Sequence, residues 1–209
     1  MDKRALERRL SDLAGFESPR PELEQYPTPA WLAAHLVHLG DLQGDLAGRT
    51  VVDFGAGTGA LALAATTRDP GRVIAVERDP AALATARENE RRFDPPVPVD
   101  WILGDATRPP LPDGSEATIV MNPPFGAQTG NESADRAFLA AAAATAATSY
   151  SVHNAGSRSF VESFAADNGG EVTHAFEATF GIDRQFAFHE RDRREVPVEV
   201  YRIDWRHSR

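Results

Sequence analysis

Cysteine is absent from this 209-residue chain. Disulfide frameworks, thiolate metal sites, iron–sulfur clusters and cysteine nucleophiles are excluded with it. Lysine is nearly absent too: of 22 basic residues only Lys3 is a lysine, and arginine supplies the rest. Long apolar runs are also missing. The longest uncharged apolar stretch, Phe138–Ala147, falls well short of the ~20 residues that a bilayer span requires. The N-terminus is charged and carries no apolar signal segment, so the expectation is an untargeted cytoplasmic protein with no place in a membrane.

What is present suits one domain, since two would be cramped at this length. Hydrophobic residues make up 42% and charged residues 25%, enough apolar material for a continuous core and too much for bulk disorder. Thirty-one acids against 22 basic residues leave a net charge of −9, which disfavours a polyanionic partner unless basic residues cluster locally. An acidic, alanine-rich, almost lysine-free composition is similar to that of proteins from salt-loving archaea. In that case the acidity reports the solvent and says little about the substrate; the alternative is an acidic mesophile protein from a GC-rich genome.

Along the chain, short β-branched runs alternate with helix-forming stretches. Thr50–Phe54 reads as a strand that enters Gly55-Ala56-Gly57-Thr58-Gly59, followed by an apolar helix over Ala60–Thr66. Arg72–Val76 is a second strand ending at Glu77; Asp79 and Pro80 open the next helix and Asp94-Pro95-Pro96 stops it. Further strands are predicted at Val97–Leu103, Ala117–Met121 and Ser149–His153, with helices over Ala134–Ala147 and Ser157–Asn168. Two longer extended segments, Glu171–Phe180 and Glu195–Trp205, close the chain as a hairpin. The alternation implies right-handed βαβ crossovers and an α/β fold: a mostly parallel seven-stranded sheet, helices on both faces and a C-terminal antiparallel hairpin. Residues 1–49 form a helical preface, with helices at Lys3–Leu13 and Pro29–Leu39, and residues 50–209 complete the single structural domain.

In an open parallel sheet, ligands bind beyond the carboxyl ends of the strands. Gly55, Gly57 and Gly59 permit positive φ and close backbone approach there, and the helix that follows presents unpaired N–H groups. Glu77 ends the second strand, 24 residues after Asp53, where a carboxylate can accept hydrogen bonds from both ribose hydroxyls. Asp105 ends the third strand, placed to meet a nucleobase amino group. The glycine spacing lacks the third glycine of the dinucleotide fingerprint, and Asp53 at the head of the turn suits a cationic ligand better than a diphosphate. S-adenosylmethionine carries a sulfonium, an ammonium, a ribose and an adenine, and so matches every one of these groups.

Asn122-Pro123-Pro124-Phe125 is the most specific signal in the chain. An isolated Asn-Pro ordinarily makes a turn after a strand. This one follows the fourth strand directly, 17 residues after Asp105, and therefore faces the same crevice. An exocyclic amino nitrogen is a poor nucleophile because its lone pair is delocalised into the ring. The Asn122 amide oxygen and the Pro123 carbonyl can accept its two N–H bonds and aim the lone pair at a methyl group. Pro123 and Pro124 restrict the backbone beforehand. Phe125 offers a ring face on which a flipped-out base stacks, worth roughly 1–3 kcal/mol.

On these residues the chain resembles the Rossmann-like class I S-adenosylmethionine-dependent methyltransferases that carry an N-P-P-[FY] motif, and more closely the archaeal and eukaryotic methyltransferase-like protein 5 family. The resemblance spans nearly the whole chain. It includes Leu23-Glu24-Gln25-Tyr26-Pro27-Thr28, the run from Asp53 to Gly59, Met121-Asn122-Pro123-Pro124-Phe125-Gly126, Ala137-Phe138-Leu139, Tyr150-Ser151-Val152-His153 and Phe188-His189. It implies formation of N6-methyladenosine in small-subunit ribosomal RNA. It implies further that Gln25, Tyr26 and Thr28 cover the cofactor, that Gly55, Thr58 and Ala60 line the first turn, that Glu77 holds the ribose, and that Asp105 with Ala106 meets the adenine. Glu77 stands where many relatives have aspartate, and Thr58 replaces a cysteine common in eukaryotic members. A small zinc-binding activator protein that pairs with the sheet edge is implied as heterodimer partner.

Residues 184–209 hold seven arginines against five acids, a local net of +2 that leaves −11 on the remainder. This tail is the candidate phosphate-contacting patch, with His189, Arg191, Arg193 and Arg194 near the entrance; a solvated charged loop is the alternative. Ser157-Arg158 at a helix start could position another phosphate, and Gly126–Ser133 is a candidate lid loop. His35, His38 and His174 read as ordinary surface or core residues, and no metal ligand is assigned. The three tryptophans read as packing groups, although Trp31 could touch a partner. Three alternatives stand beside this reading. A glutamine side-chain methyltransferase acting on protein release factors usually has tyrosine after the prolines and a separate N-terminal domain. A DNA adenine-N6 methyltransferase normally carries a target-recognition domain. A non-catalytic S-adenosylmethionine-binding adaptor would have no need of Asn122 and Phe125.

Overall fold

A computed structural model describes residues 1–124, 134–183 and 193–205 of the chain, except for the side chains of Phe180, Ile182, Asp183, Arg193 and Arg194. Its strands are β1 (Thr50–Phe54), β2 (Arg72–Glu77), β3 (Val99–Leu103), β4 (Ala117–Met121), β5 (Ala146–Asn154), β6 (Glu171–Asp183) and β7 (Arg193–Asp204). They form one seven-stranded sheet in the order β3-β2-β1-β4-β5-β7-β6. The first five pair in parallel, and β7 lies antiparallel between β5 and β6. The closing hairpin thus joins the sheet through its second strand rather than its first.

Among the described residues six α-helices cover the two faces: α1 (Lys3–Ser11), α2 (Ala30–Leu42), α3 (Ala60–Ala65), α4 (Pro80–Phe93), α5 (Ala134–Thr145) and α6 (Arg158–Asp167). Alternate strand residues feed two separate cores. Val51, Val73 and Val120 join Leu32, Leu36 and Leu63 of α2 and α3 on one side. Val52, Ile74 and Ile119 join Phe138 and Leu139 of α5 and Val161 of α6 on the other. Asp79 caps α4 as its spacing predicts, its carboxylate accepting from the Ala81 N–H with Pro80 at the first position.

The junction of α5 and β5 departs from the sequence reading. The alanine-rich run is expected to stay helical through Ala147, yet α5 stops at Thr145 and β5 starts at Ala146. Ala146 pairs with Ala117 of β4, and the Ala147 carbonyl accepts from the Trp205 N–H at 2.9 Å. The helix preference of alanine amounts to less than about 1 kcal/mol per residue, and completing the sheet outweighs it.

Behind the sheet lies a buried ionic cluster. Arg202 Nε donates to Asp45 Oδ2 at 2.8 Å and Nη2 donates to Oδ1 at 3.2 Å, while Nη1 reaches Thr173 Oγ1 at 2.6 Å. The Tyr150 hydroxyl donates to the same Asp45 Oδ2. Arg202, counted above with the basic tail, is only 6% exposed and cannot face a phosphate.

From β1 the chain crosses through α3 to β2 on one side, then returns from β3 to β4 on the other. The carboxyl ends of β1 and β4 therefore flank the point where the strand order reverses, which is where an open α/β sheet leaves a crevice.

Candidate active site

A cleft of about 300 Å³ opens at that reversal. Its floor is the glycine turn, tied down because the N–H groups of Gly55 and Ala56 both donate to the Val76 carbonyl of β2, at 2.9 and 3.1 Å. Gly57 has φ +55°, and a Cβ there would sit 3.0 Å from Cζ of Phe16, which comes from the preface. Only a residue without a side chain lets the turn and Phe16 close on each other across the cleft.

Glu77 projects from the end of β2. Its Oε2 accepts from the Gly57 N–H at 2.7 Å and its Oε1 from the Asp79 N–H at 2.8 Å. The carboxylate has four lone-pair positions, and these two N–H groups, with that of Arg78 close by, do not fill them all. Burial raises the Glu77 pKa above the ordinary glutamate range even against these backbone donors. Asp79 in turn holds the strap formed by residues 12–29. Gln25 Nε2 donates to its Oδ2 at 2.6 Å, Gln25 Oε1 accepts from the Arg20 N–H at 2.8 Å, and the Arg20 guanidinium lies 3.6 Å from Asp79 Oδ1.

Across the cleft stands Asp105. Burial opposes its ionisation, but the N–H and hydroxyl of Thr107 both donate to Oδ1 and Arg78 and Arg108 lie nearby, so its pKa falls below the ordinary range. Asn122 closes the far wall at the end of β4. Its Nδ2 donates to Thr28 Oγ1 at 3.1 Å, and its Oδ1 is buried without a hydrogen-bond partner among the described residues. A buried acceptor left unpaired costs about 1–3 kcal/mol, a penalty that a donor brought by a ligand removes.

Most of the residues singled out in the sequence line this cleft: Gln25, Tyr26 and Thr28 from the strap; Gly55, Gly57, Thr58 and Ala60 from the turn and α3; and Glu77, Asp105, Ala106, Asn122 and Pro124 from the strand ends. Asp53, Gly59 and Pro123 do not line it. Asp53 is 1% exposed and its Oδ2 accepts from the Ala62 N–H at 2.9 Å, so it serves the start of α3 from behind the turn. Burial, opposed by that N–H and reinforced by Glu77, raises its pKa to about 7. Phe125, His189 and Arg191 lie outside the described residues, as does the loop 126–133. Arg193 and Arg194 fall in β7, on backbone alone. At the start of α6, Glu199 accepts from the Gly156 N–H at 3.1 Å, and against the opposing effect of burial the N–H groups of Ser157 and Arg158 nearby help to hold its pKa below the ordinary range.

Sequence reasoning missed Phe16, Phe138 and Arg78, which also line the cleft. Arg78 follows Glu77 at a strand end and could have been found by the same logic. Phe16 is a lone aromatic in a polar loop and carries no local signal. Asn89 of α4 was missed as well. Fully buried, it donates from Nδ2 to the carbonyls of Ala14 and Thr58, each at 2.9 Å, and accepts at Oδ1 from the Ala14 N–H at 2.8 Å. It bolts the strap to the glycine turn.

The strand order, the antiparallel β7 next to the edge and the glycine turn at the reversal define a Rossmann-like class I methyltransferase. Residues 33–153 match the profile of the methyltransferase small domain. The chain is 32% identical to the rRNA N(6)-adenosine-methyltransferase Mettl5 of Drosophila melanogaster over 96% of its own length and 95% of that protein. It is 28% identical to the METTL5 enzyme of Danio rerio, named likewise, over 97% of itself and 99% of that protein. A solved structure from Pyrococcus horikoshii, assigned as an RNA methyltransferase, superposes with a TM-score of 0.86 at 36% identity, covering 98% of each chain. This chain belongs to the methyltransferase-like protein 5 family within the methyltransferase small domain proteins. It is an enzyme that uses S-adenosylmethionine, and the cleft fits that cofactor: the carboxylate of Glu77 suits hydroxyls, and Phe16 and Phe138 suit a flat ring.

Proposed function

We propose that this chain transfers a methyl group to the N6 amino group of an adenosine in small-subunit ribosomal RNA. The observation that carries the reading is the Asn122 Oδ1 atom, buried and without a partner among the described residues at the cleft wall. An adenine amino group supplies the donor that this acceptor lacks. End-to-end similarity to relatives named rRNA N6-adenosine methyltransferases supports the same substrate.

In this reading Gln25, Tyr26 and Thr28 cover the cofactor, Gly55, Gly57, Thr58 and Ala60 pass beneath it, Glu77 takes the ribose hydroxyls, and Asp105 with Ala106 takes the adenine. Bound S-adenosylmethionine supplies an electrophilic methyl group on a sulfonium. Asn122 Oδ1 and the Pro123 carbonyl accept the two N–H bonds of the target, pulling its nitrogen toward tetrahedral geometry. Phe125 stacks on the flipped base, and Pro124 stiffens the corner. His189, Arg191, Arg193 and Arg194 contact RNA phosphates. No helix among the described residues is long and apolar enough to cross a membrane, and with an rRNA substrate the compartment is the cytoplasm.

A small zinc-binding activator pairs with the outer edge of β3. That edge strand carries Leu103, which is 58% exposed. If the purified chain alone is monomeric and fully active, the activator is unnecessary.

The test incubates the full chain, with and without a candidate activator, with labelled S-adenosylmethionine and small-subunit RNA, duplex DNA or release factor. Label is expected in RNA adenosine alone; label only in protein would overturn the reading. Asn122→Ala is expected to lower transfer at least about 100-fold, as removal of one oriented polar group does elsewhere, with cofactor affinity within about three-fold. Transfer surviving that substitution would remove the acceptor role.

A further inference from the structure

We propose that Thr28 is a positioning residue, holding the Asn122 side-chain amide in the rotation that aims Oδ1 at the acceptor amino group. The strap would then complete the acceptor half of the site as well as cover the cofactor half. This inference rests on the methyl-transfer reading above.

An asparagine amide rotates about its last bond in a broad, roughly two-fold well, so the end of β4 does not by itself decide where Oδ1 points. The amide is planar and rigid. Holding one end therefore aims the other. Nδ2 donates to Thr28 Oγ1 at 3.1 Å, across 94 residues of sequence, and the opposite end is the Oδ1 atom buried without a partner. The hydroxyl can accept from Nδ2 or donate to Oδ1, and in the structure it accepts from Nδ2; without it the amide loses that tie and spends time with Nδ2 forward, presenting a donor to a donor.

Thr28 is itself held firmly. Pro29 restricts its backbone from the following side, and Pro27 has its own φ fixed. Three residues earlier, Gln25 is bound at both ends of its amide, to Asp79 and to the Arg20 N–H. The hydroxyl thus comes from a stiff segment anchored beside the end of β2, so the geometry is set before substrate arrives.

The experiment compares Thr28→Val, which keeps the shape and removes the hydroxyl, with Thr28→Ser, which keeps the hydroxyl, on whichever amino acceptor the wild-type chain methylates. Valine is expected to lower kcat about 10- to 100-fold, the scale of a small misplacement in an active site, with cofactor Kd within about three-fold; serine is expected to restore most of the loss. Independently of turnover, the Asn122 side-chain amide protons are followed by NMR in 15N-labelled protein, assigned by their disappearance in Asn122→Ala. Their exchange with water should be at least about ten-fold faster in Thr28→Val and near wild type in Thr28→Ser. Unchanged kcat, unchanged exchange, or a loss confined to cofactor affinity would each overturn the proposal. If the wild type methylates no amino acceptor, the functional reading fails and the exchange rates alone decide the clamp. Should the valine variant not unfold cooperatively in urea, Thr28→Ala takes its place.

Discussion

Gly59 has φ +94°, and a Cβ built on it would meet Cη2 of Trp101 at 2.8 Å and Cβ of Ala86 at 3.4 Å. The indole cannot swing clear, because its Nε1 donates to Glu90 Oε2 at 2.6 Å. Gly59→Ala is therefore expected to cost about 2–4 kcal/mol, adding overlap to backbone strain. Gly44 offers the control: its φ is +70° with no atom within 4 Å, so Gly44→Ala should cost only about 1–2 kcal/mol. Urea unfolding of the two variants measures the difference, and equal losses would remove Trp101 from the explanation. At this scale the sequence was readable for placement at the strand ends: Glu77, Asp105 and Asn122 line the cleft. It misled at Asp53, whose carboxylate turns back to the Ala62 N–H instead of reaching the cleft.

Among the elements, β5 and β7 depend on the Asp45–Tyr150–Arg202 cluster. Arg202 and Asp45 are 6% and 7% exposed at their side chains, so neither charge has water to fall back on. Burial and the bond to Asp45 push the Tyr150 hydroxyl well above its ordinary pKa, keeping it a donor. Arg202→Met should cost about 3–5 kcal/mol by leaving Asp45 buried and uncompensated, and adding Asp45→Leu should recover much of that loss. Urea midpoints of the single and double variants test this; a double variant no more stable than the single would deny that the unpaired charge is the cause. From sequence alone Arg202 belonged to a basic tail, because nothing local announces a partner 157 residues away. The strap shows the same limit. An asparagine in the middle of a helix, such as Asn89, reads as a weak helix former, and only α4's packing against residue 14 reveals a bolt.

For the molecule as a whole, buried groups set opposing pH dependences, Asp53 and Glu77 on one side and His153 on the other. Asp53 has a folded pKa of about 7 against 3.8, so the folded state holds its proton more tightly and this contribution is lost as pH rises from about 4 to 7. His153 is the reverse. Burial lowers its pKa from 6.5 to about 4, so its contribution is present above 6.5 and lost as pH falls toward 4. In the shared window the slopes of Asp53 and His153 oppose each other. Relative to wild type, Asp53→Asn should therefore gain stability as pH rises from about 4 to 6.5, by up to about 3 kcal/mol, and His153→Gln should lose it. Urea midpoints measured across that range check the sign; parallel curves for all three proteins would show that neither group titrates as described.

The sequence by itself determined the strand–turn–helix alternation, the glycine turn and the asparagine–proline corner at a strand end. Periodicity, capping and turn chemistry are written in contiguous residues, so they can be read without neighbours. Tertiary structure alone decided that β7 rather than β6 meets the parallel body, that two alanines leave a helix to complete β5, and that Phe16, Asn89 and Thr28 converge on the turn and on Asn122. Those outcomes depend on which faces become buried together and on hydrogen bonds between residues far apart in the chain, and such pairings carry no local signature.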